Sequence, residues 1–203
     1  MVDQIEKAID LVLEQDQNEF LELLKSTHRI DKYTIRPDGL VDVEGRILLS
    51  FMHLTKIPIK FGIVNGSFNC ADNYLTSLHG APEEVGDDFW CAGNQLTSLE
   101  GCPGKVGVDF DCSYNQLTSL IGSPKEVEGD FDCSGNQLTS LIGCPKKVGY
   151  VYCDNNPVEF TQEDIKLAKQ GKAPLGLPLS FVLMKNKEKE YGKEKLKSWL
   201  KKK

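Results

Sequence analysis

The stretch CSYNQLTSL, residues 112–120, is one of five related copies of a phrase that decides how this chain folds. The other copies are CADNYLTSL from Cys70, CAGNQLTSL from Cys91, CSGNQLTSL from Cys133 and the divergent CDNNPVEF from Cys153. The first four copies begin 21 residues apart, and the last follows after 20. A fixed period of this length predicts a solenoid, in which each repeat forms one coil that stacks on the next.

Within one repeat, the apolar pattern predicts a short strand followed by a turn. Phe110 and Cys112 alternate with Asp109 and Asp111, as expected of a strand with one buried face. Asn115 follows at the turn, and the two leucines of QLTSL then point back inside. A glycine and a proline bend the chain for its return to the next coil.

The turn asparagines are predicted to be structural. They recur once in each repeat, as Asn73, Asn94, Asn115, Asn136 and Asn156. A short amide side chain at this corner can bond the backbone groups that the turn leaves unpaired. We therefore predict that these residues hold the fold together and do not form a site.

The spacing LxxNxL inside a 21-residue unit resembles the leucine-rich repeat superfamily, whose consensus reads LxLxxNxLxxL. Phenylalanine and cysteine replace the two strand leucines, in the pairs Phe68/Cys70, Phe89/Cys91, Phe110/Cys112 and Phe131/Cys133. The fuller phrase FxCSxNQLTSLxGxPKxVxGD is similar to short uncharacterised proteins, many of them encoded by bacteriophages. The resemblance covers residues 40–160 and implies an α/β repeat solenoid with short parallel strands.

Three regions are predicted along the chain. A helical and hairpin cap occupies residues 1–45, the leucine-rich repeat array residues 46–160, and a helical cap with a Lys-rich tail residues 161–203. The hairpin is predicted at residues 32–43, because alternating apolar residues flank the turn sequence Pro37-Asp38-Gly39.

Helices are expected at both ends of the array. Helical spacing over residues 3–27, with a capping pattern near its middle, predicts two helices at the N-terminus. Thr161 and Asp164 form a second capping pattern, which predicts a short helix over residues 162–170. Such helices are typical of caps over open solenoid ends, although the acidic N-terminal pair could instead bind a partner.

Charge is distributed unevenly along the chain. The net charge is −6, but residues 185–203 hold nine lysines and three glutamates, so the rest carries −12. Three uses of this Lys-rich tail stay open: a solvated end, folding back on an acidic face of the array, or contact with nucleic acid or an anionic surface.

Cysteine usage and the apolar segments predict a cytoplasmic protein. Five of the seven cysteines fall in one repeat column, which indicates buried thiols in a reducing compartment. The N-terminus has neither the basic start nor the apolar segment of a secretory signal. The longest apolar stretch, residues 175–184, is too short to span a membrane. The phage resemblance would make the compartment the host cytoplasm.

A search for catalytic motifs predicts no enzyme, no cofactor and no metal. The three histidines lie in unrelated contexts, and no nucleophile, zinc-protease or phosphate-loop motif occurs. The cysteines form no CxxC or Cys/His pattern, which argues against zinc. The segment DFDCS resembles the start of a calcium loop but lacks its turn glycine and final glutamate.

The exposed side of the strands is the candidate site. In-register coils bring Asp88, Asp109 and Asp130 into one column and Trp90, Asp111, Asp132 and Tyr152 into the next, with Tyr114 beside them at a strand end. Like charges stacked at this spacing repel each other. One interpretation is a binding face for a basic protein, with aspartates for steering and aromatic anchors for contact. The other is a solvated sheet face. Nucleic acid is disfavoured on it.

We predict a non-enzymatic, protein-binding scaffold that acts through this concave strand face. The resemblance to phage proteins implies a viral protein that acts on a host protein. The alternative is a structural component of a phage or cellular assembly. The sequence identifies neither the partner nor the oligomeric state.

Overall fold

Residues 17–172 are described by a computed structural model. The described residues form twelve short strands: ten follow the repeat two to a coil, the first strand adds a hairpin before the first coil, and the twelfth is the single strand of the last coil. They are β1 (Tyr33–Ile35), β2 (Val41–Val43), β3 (Ile47–Leu48), β4 (Phe61–Val64), β5 (Phe68–Asn69), β6 (Glu84–Val85), β7 (Phe89–Trp90), β8 (Lys105–Val106), β9 (Phe110–Asp111), β10 (Glu126–Val127), β11 (Phe131–Asp132) and β12 (Val151–Tyr152).

These strands form two six-stranded sheets that run the length of the array. Sheet 1 has the order β1-β2-β4-β6-β8-β10, and sheet 2 has the order β3-β5-β7-β9-β11-β12. Every pairing is parallel except β1 with β2. Each strand therefore pairs with its equivalent about 21 residues away, as in Phe89↔Phe110. The predicted repeat solenoid is confirmed, with about five turns.

The return segment of each coil is extended, so the array itself does not show the α/β class predicted for it. Helices α1 (Gln17–Ser26) and α2 (Gln162–Lys169) flank the array, and the described chain between them contains only strands and turns. Each return in the regular array follows a proline and carries a valine, as in Pro124 and Val127. Proline removes a backbone donor, and β-branched valine favours strands, so both residues oppose a helix there.

The core between the sheets is built from columns of identical side chains. Phe68, Phe89, Phe110 and Phe131 are buried and stack nearly parallel, with ring centroids 5.1–5.5 Å apart. The strand cysteines and the leucines of each QLTSL segment are buried beside them. Each coil therefore depends on its neighbours to cover its apolar side chains, as the period predicts.

The turn asparagines have the structural role that the sequence predicts. Asn115 Oδ1 accepts a hydrogen bond from the backbone N–H of Leu96 at 3.0 Å. Its Nδ2 donates to the carbonyls of Cys91 and Cys112 at 3.0 and 3.1 Å. Each of the other four turn asparagines bonds the preceding coil and its own turn in the same way.

At the N-terminal end, α1 and the hairpin precede the first coil. Phe20, Leu21 and Leu24 of α1 are buried in the common core. The antiparallel hairpin β1–β2 lies where the sequence places it, whereas the part of the predicted helical region 3–27 that precedes residue 17 is outside the described residues.

At the C-terminal end, α2 closes the described chain. Its first turn has the predicted capping box, in which the Thr161 side chain and Asp164 bond each other's backbone N–H groups. Ile165 and Ala168 are buried against the last coil. The chain leaves the helix at Gly171, whose φ of 69° lies in the left-handed region that favours glycine. The predicted Lys-rich tail lies beyond the described residues.

Candidate binding face of sheet 2

The outward positions of sheet 2 stack in register. Trp90 pairs with Asp111, Asp111 with Asp132, and Asp132 with Tyr152 along neighbouring strands. Parallel strands lie ~4.8 Å apart, so these four side chains form one continuous column on the sheet surface. The sequence predicts this column correctly.

A second column lies at the corner just before each strand of sheet 2. Asp88 Oδ1 accepts a hydrogen bond from the backbone N–H of Asp109 at 3.2 Å, and Asp109 Oδ1 accepts one from Asp130 at 2.8 Å. Asp130 Oδ1 accepts in turn from the N–H of Tyr150 at 2.8 Å. Hydrogen bonds to a charged acceptor are stronger than neutral ones, so they offset part of the repulsion between the stacked carboxylates.

The aspartates of the outward column also bond their own backbone. Asp111 Oδ1 accepts from the N–H of Ser113 at 2.9 Å, and Asp132 Oδ1 from Ser134 at 2.8 Å. Asn69, one coil before Trp90 in the same column, makes the equivalent bond to Ala71 at 3.0 Å with its amide oxygen. An uncharged side-chain oxygen therefore makes this bond as well as a carboxylate does, and Trp90 in the same column shows that the turn also forms without it.

The negative charge on this face has no counter-ion within residues 17–172. The ion pairs there all lie elsewhere, and none involves an aspartate of either column. Burial raises the pKa of Asp111 above its usual value, hydrogen bonds from Ser113 lower it, and the nearby charges of Asp132 and Asp72 raise it further. Burial therefore disfavours the ionised form of Asp111 in the folded protein.

Sheet 1 has the opposite arrangement on its outward surface. Glu84, Lys105, Glu126 and Lys147 follow one another in register, so that the charge alternates in sign from coil to coil. Lys147 Nζ lies 3.6 Å from a carboxylate oxygen of Glu126 and also forms an ion pair with Glu128. One face of the same solenoid is thus neutralised internally, whereas the other carries a stack of like charges.

Two tyrosines end the columns of sheet 2. Tyr152 is 43% exposed and Tyr150 is 52% exposed, and their ring centroids are 5.0 Å apart. The negative charge of Asp130 is the main cause that raises the pKa of the Tyr152 hydroxyl. The sequence prediction missed Tyr150, although the 20-residue spacing of the last repeat places it in the column of Asp130.

Both columns together form what we call the acidic–aromatic face: Asp88, Trp90, Asp109, Asp111, Asp130, Asp132, Tyr150 and Tyr152. Tyr114 lies outside these columns, at the turn that follows β9. It is 65% exposed and has a φ of 51°. Gly93 and Gly135 hold the same left-handed position in the neighbouring coils, with φ of 64° and 65°. A bulky side chain at such a φ is strained.

Other chemistry is sparse in the described part of the chain. No three His, Cys, Asp or Glu side chains of residues 17–172 are grouped closely enough to hold a metal ion. An open groove beside α1 is lined by Lys25, His28, Ile30, Asp31, Lys32, Tyr33 and Arg46, which include no serine, threonine or cysteine nucleophile. Burial raises the pKa of the Cys112 and Cys133 thiols well above the usual value, so these thiols are held in the unreactive protonated form.

Membrane and homology comparisons add no further feature to the face. Among the described residues, neither helix is long and apolar enough to cross a membrane. A scan against protein-family models and searches of curated proteins and of solved structures found no match to this chain.

Proposed function

We propose that the protein is a non-enzymatic binding scaffold whose acidic–aromatic face takes a basic protein surface. One observation carries the proposal. Five aspartates stand in two in-register columns without a basic side chain of residues 17–172 paired to them, while the opposite sheet alternates its charges.

A basic partner would stabilise the ionised form of Asp111, which burial disfavours in the folded chain. Asp111 is half-buried, and its pKa is raised chiefly by burial. A lysine or arginine from a partner would supply the missing counter-charge and stabilise the ionised carboxylate. Trp90, Tyr150 and Tyr152 add partly exposed rings of the kind that anchor protein interfaces and stack with cations.

The position of the face favours recognition over catalysis. Its side chains are held in place by the sheet and by hydrogen bonds to backbone N–H groups, so little order is lost on binding. Phosphate groups would meet the aspartates, which disfavours nucleic acid as the ligand.

Two finer proposals accompany this one. The repeating asparagine bonds support membership of the leucine-rich repeat superfamily, and α1 and α2, which bury apolar side chains against the end coils, support a capping role. A phage-encoded protein that acts on a host protein remains the biological setting that we propose. A structural component of an assembly remains the alternative.

The test uses a charge change that the fold already accommodates. The double variant Asp111→Asn/Asp132→Asn keeps the oxygen that bonds the turn, as Asn69 does, but removes two charges. Glu84→Gln/Glu126→Gln removes two charges from sheet 1 and is the matched control. Quantitative affinity capture from bacterial lysate should recover a basic protein with the wild type and the control, but much less with the face variant.

Equal recovery with all three proteins would show that the face is not the binding surface. Concentration-dependent self-association of the purified protein, lost in the face variant, would favour the assembly component instead. Sedimentation of the three proteins at two concentrations measures this directly.

A further inference from the structure

We infer that the acidic–aromatic face is occupied, in the free protein, by the chain's own Lys-rich segment, residues 185–203. This inference rests on the proposed binding function and adds its regulation: the segment is an intramolecular competitor that a basic partner must displace. The face and the segment have opposite charges, and the described chain ends at the coil that carries Tyr150 and Tyr152.

Charge complementarity identifies the occupant. The face presents five aspartates without a counter-ion in residues 17–172, and residues 185–203 hold nine lysines and three glutamates, a net charge of +6. Within the segment, Trp199 and Leu200 supply apolar groups that can pack beside Trp90 and the tyrosines. No other stretch of the sequence has a comparable positive charge.

The last described helix ends at the final coil of the array, where a Cβ placed on Gly171 would lie 3.6 Å from the Lys146 side chain. Lys169, at the end of α2, donates from Nζ to the carbonyl of Gly149 at 2.6 Å. Gly149 immediately precedes Tyr150, and a Cβ placed on Gly149 would lie 2.8 Å from Asp130 Oδ1. The described chain then ends at Lys172, three residues after this contact.

The connection is long enough for the segment to reach every aspartate of the face. Residues 173–184 separate Lys172 from Lys185. Any chain of twelve residues spans about 40 Å when fully extended, and roughly 20 Å on average as a random coil. The coils from Tyr150 back to Asp88 cover only about 15 Å at the spacing of parallel strands. The tether therefore does not limit which coil the lysines contact.

Charge disfavours sheet 1 as the docking surface for the Lys-rich segment. Its outward column contains Lys105 and Lys147, which would repel a positive segment, and Lys147 already forms ion pairs with Glu126 and Glu128.

A tethered segment also has a high effective concentration, in the millimolar range for short flexible connections. Weak individual contacts are therefore sufficient to keep the face occupied and to lower the apparent affinity of a basic ligand.

Zero-length carbodiimide coupling of the dilute full-length protein tests the location of the segment. This reagent joins a lysine amine to a carboxylate only where the two are in contact, and peptide mass mapping identifies the pair. We expect couplings within one molecule between lysines of residues 185–203 and aspartates of the face. They should weaken between 0.05 and 1 M salt, as the screening length falls to about 3 Å.

The two charge variants provide matched controls for this experiment. Asp111→Asn/Asp132→Asn should reduce coupling of the segment to Asp109 and Asp130, because the local potential falls. Glu84→Gln/Glu126→Gln should leave that coupling unchanged. Segment couplings spread over both sheets in proportion to exposure, or couplings mainly between molecules, would overturn the inference.

A deca-lysine peptide tests the competition in the full-length chain. The variant Lys195→Gln/Lys197→Gln/Lys201→Gln lowers the positive charge of the segment by three and changes none of the described residues. We expect it to bind deca-lysine about tenfold more tightly than the wild type, the gain given by a millimolar effective concentration and an intrinsic segment affinity of ~0.1 mM.

The outcomes separate this inference from the proposed function. Equal deca-lysine binding by wild type and tail variant, with loss in Asp111→Asn/Asp132→Asn, would keep the binding face and overturn the docked segment. Coupling of the segment to the face without capture of any basic protein or peptide, even by the tail variant, would keep the docked segment and overturn the binding function.

Discussion

The carboxylate of Asp109 accepts a hydrogen bond from the backbone N–H of Asp130, one coil further along, at 2.8 Å. Asp88 makes the same bond to Asp109 at 3.2 Å. Asp109, which the sequence predicts to be a binding residue, therefore also links two neighbouring coils through a hydrogen bond. Variants that test binding must keep the side-chain oxygen, or they will report stability instead.

Replacing Asp109 should separate these two roles. Asp109→Ala leaves the N–H of Asp130 without its acceptor and should lower the free energy of unfolding by about 1–2 kcal/mol, whereas Asp109→Asn should lower it by less than half as much. Urea titration followed by circular dichroism measures both. Asp87→Ala, at the exposed neighbouring position, is the control and should change stability little. Equal losses of stability for alanine and asparagine would show that the charge of Asp109 stabilises the fold, and not its hydrogen bond from the N–H of Asp130.

Asn115 should be among the most sensitive positions in the array. Asn115→Ala removes one bond to the preceding turn and bonds to three carbonyls, and it leaves buried backbone groups unpaired. We expect a loss of about 3–5 kcal/mol in the free energy of unfolding. The adjacent, exposed Gln116→Ala should lose less than about 0.5 kcal/mol under the same conditions. Similar midpoints for the two variants would contradict the structural role of the asparagine column.

Tyr114 is a position where glycine should stabilise the fold. Its φ of 51° is strained for a bulky residue, and glycine holds the same position in both neighbouring coils. Tyr114→Gly should raise the free energy of unfolding by about 1 kcal/mol, since glycine removes the strain but gains entropy in the unfolded chain. Tyr114→Ala keeps the strained backbone and should not be stabilised. A glycine variant less stable than wild type would indicate that the ring makes contacts that outweigh its strain.

The Asp111 carboxyl should make stability depend on pH in a defined direction. Its pKa is raised in the folded protein above the usual 3.8. Above the folded pKa, the charged form destabilises the fold, whereas below 3.8 both states are protonated and this penalty is absent. Asp111→Asn should therefore be more stable than wild type near pH 7, and its advantage should shrink as the pH falls toward 3.8. Unfolding titrations of both proteins across this range measure the difference. A difference that does not vary with pH would contradict the raised pKa.

Much of the candidate face could be predicted because a fixed period converts sequence offsets into spatial neighbours. Trp90, Asp111 and Asp132 are adjacent in the structure for the same reason that they are 21 residues apart in the sequence. Tyr150 could have been predicted in the same way, since the 20-residue offset that places Tyr152 beside Asp132 also places Tyr150 beside Asp130. The bonds of Asp109 and Asp111 to backbone N–H groups carry no sequence signal, since an outward aspartate has the same pattern whether its oxygen is solvated or bonded.

The sequence by itself determined the coil length, the inward columns of phenylalanine, cysteine and leucine, and the role of the turn asparagines. These features follow from the alternation of apolar and polar residues within each repeat, and from the recurrence of the same pattern in every neighbouring repeat. Only the tertiary structure decided that each return is a second parallel strand, so that Glu84, Lys105 and Glu126 lie on neighbouring strands of a sheet and not on turns or helices. A two-residue strand has too little local pattern to define itself, and it exists only because its hydrogen-bonding partner lies one coil away.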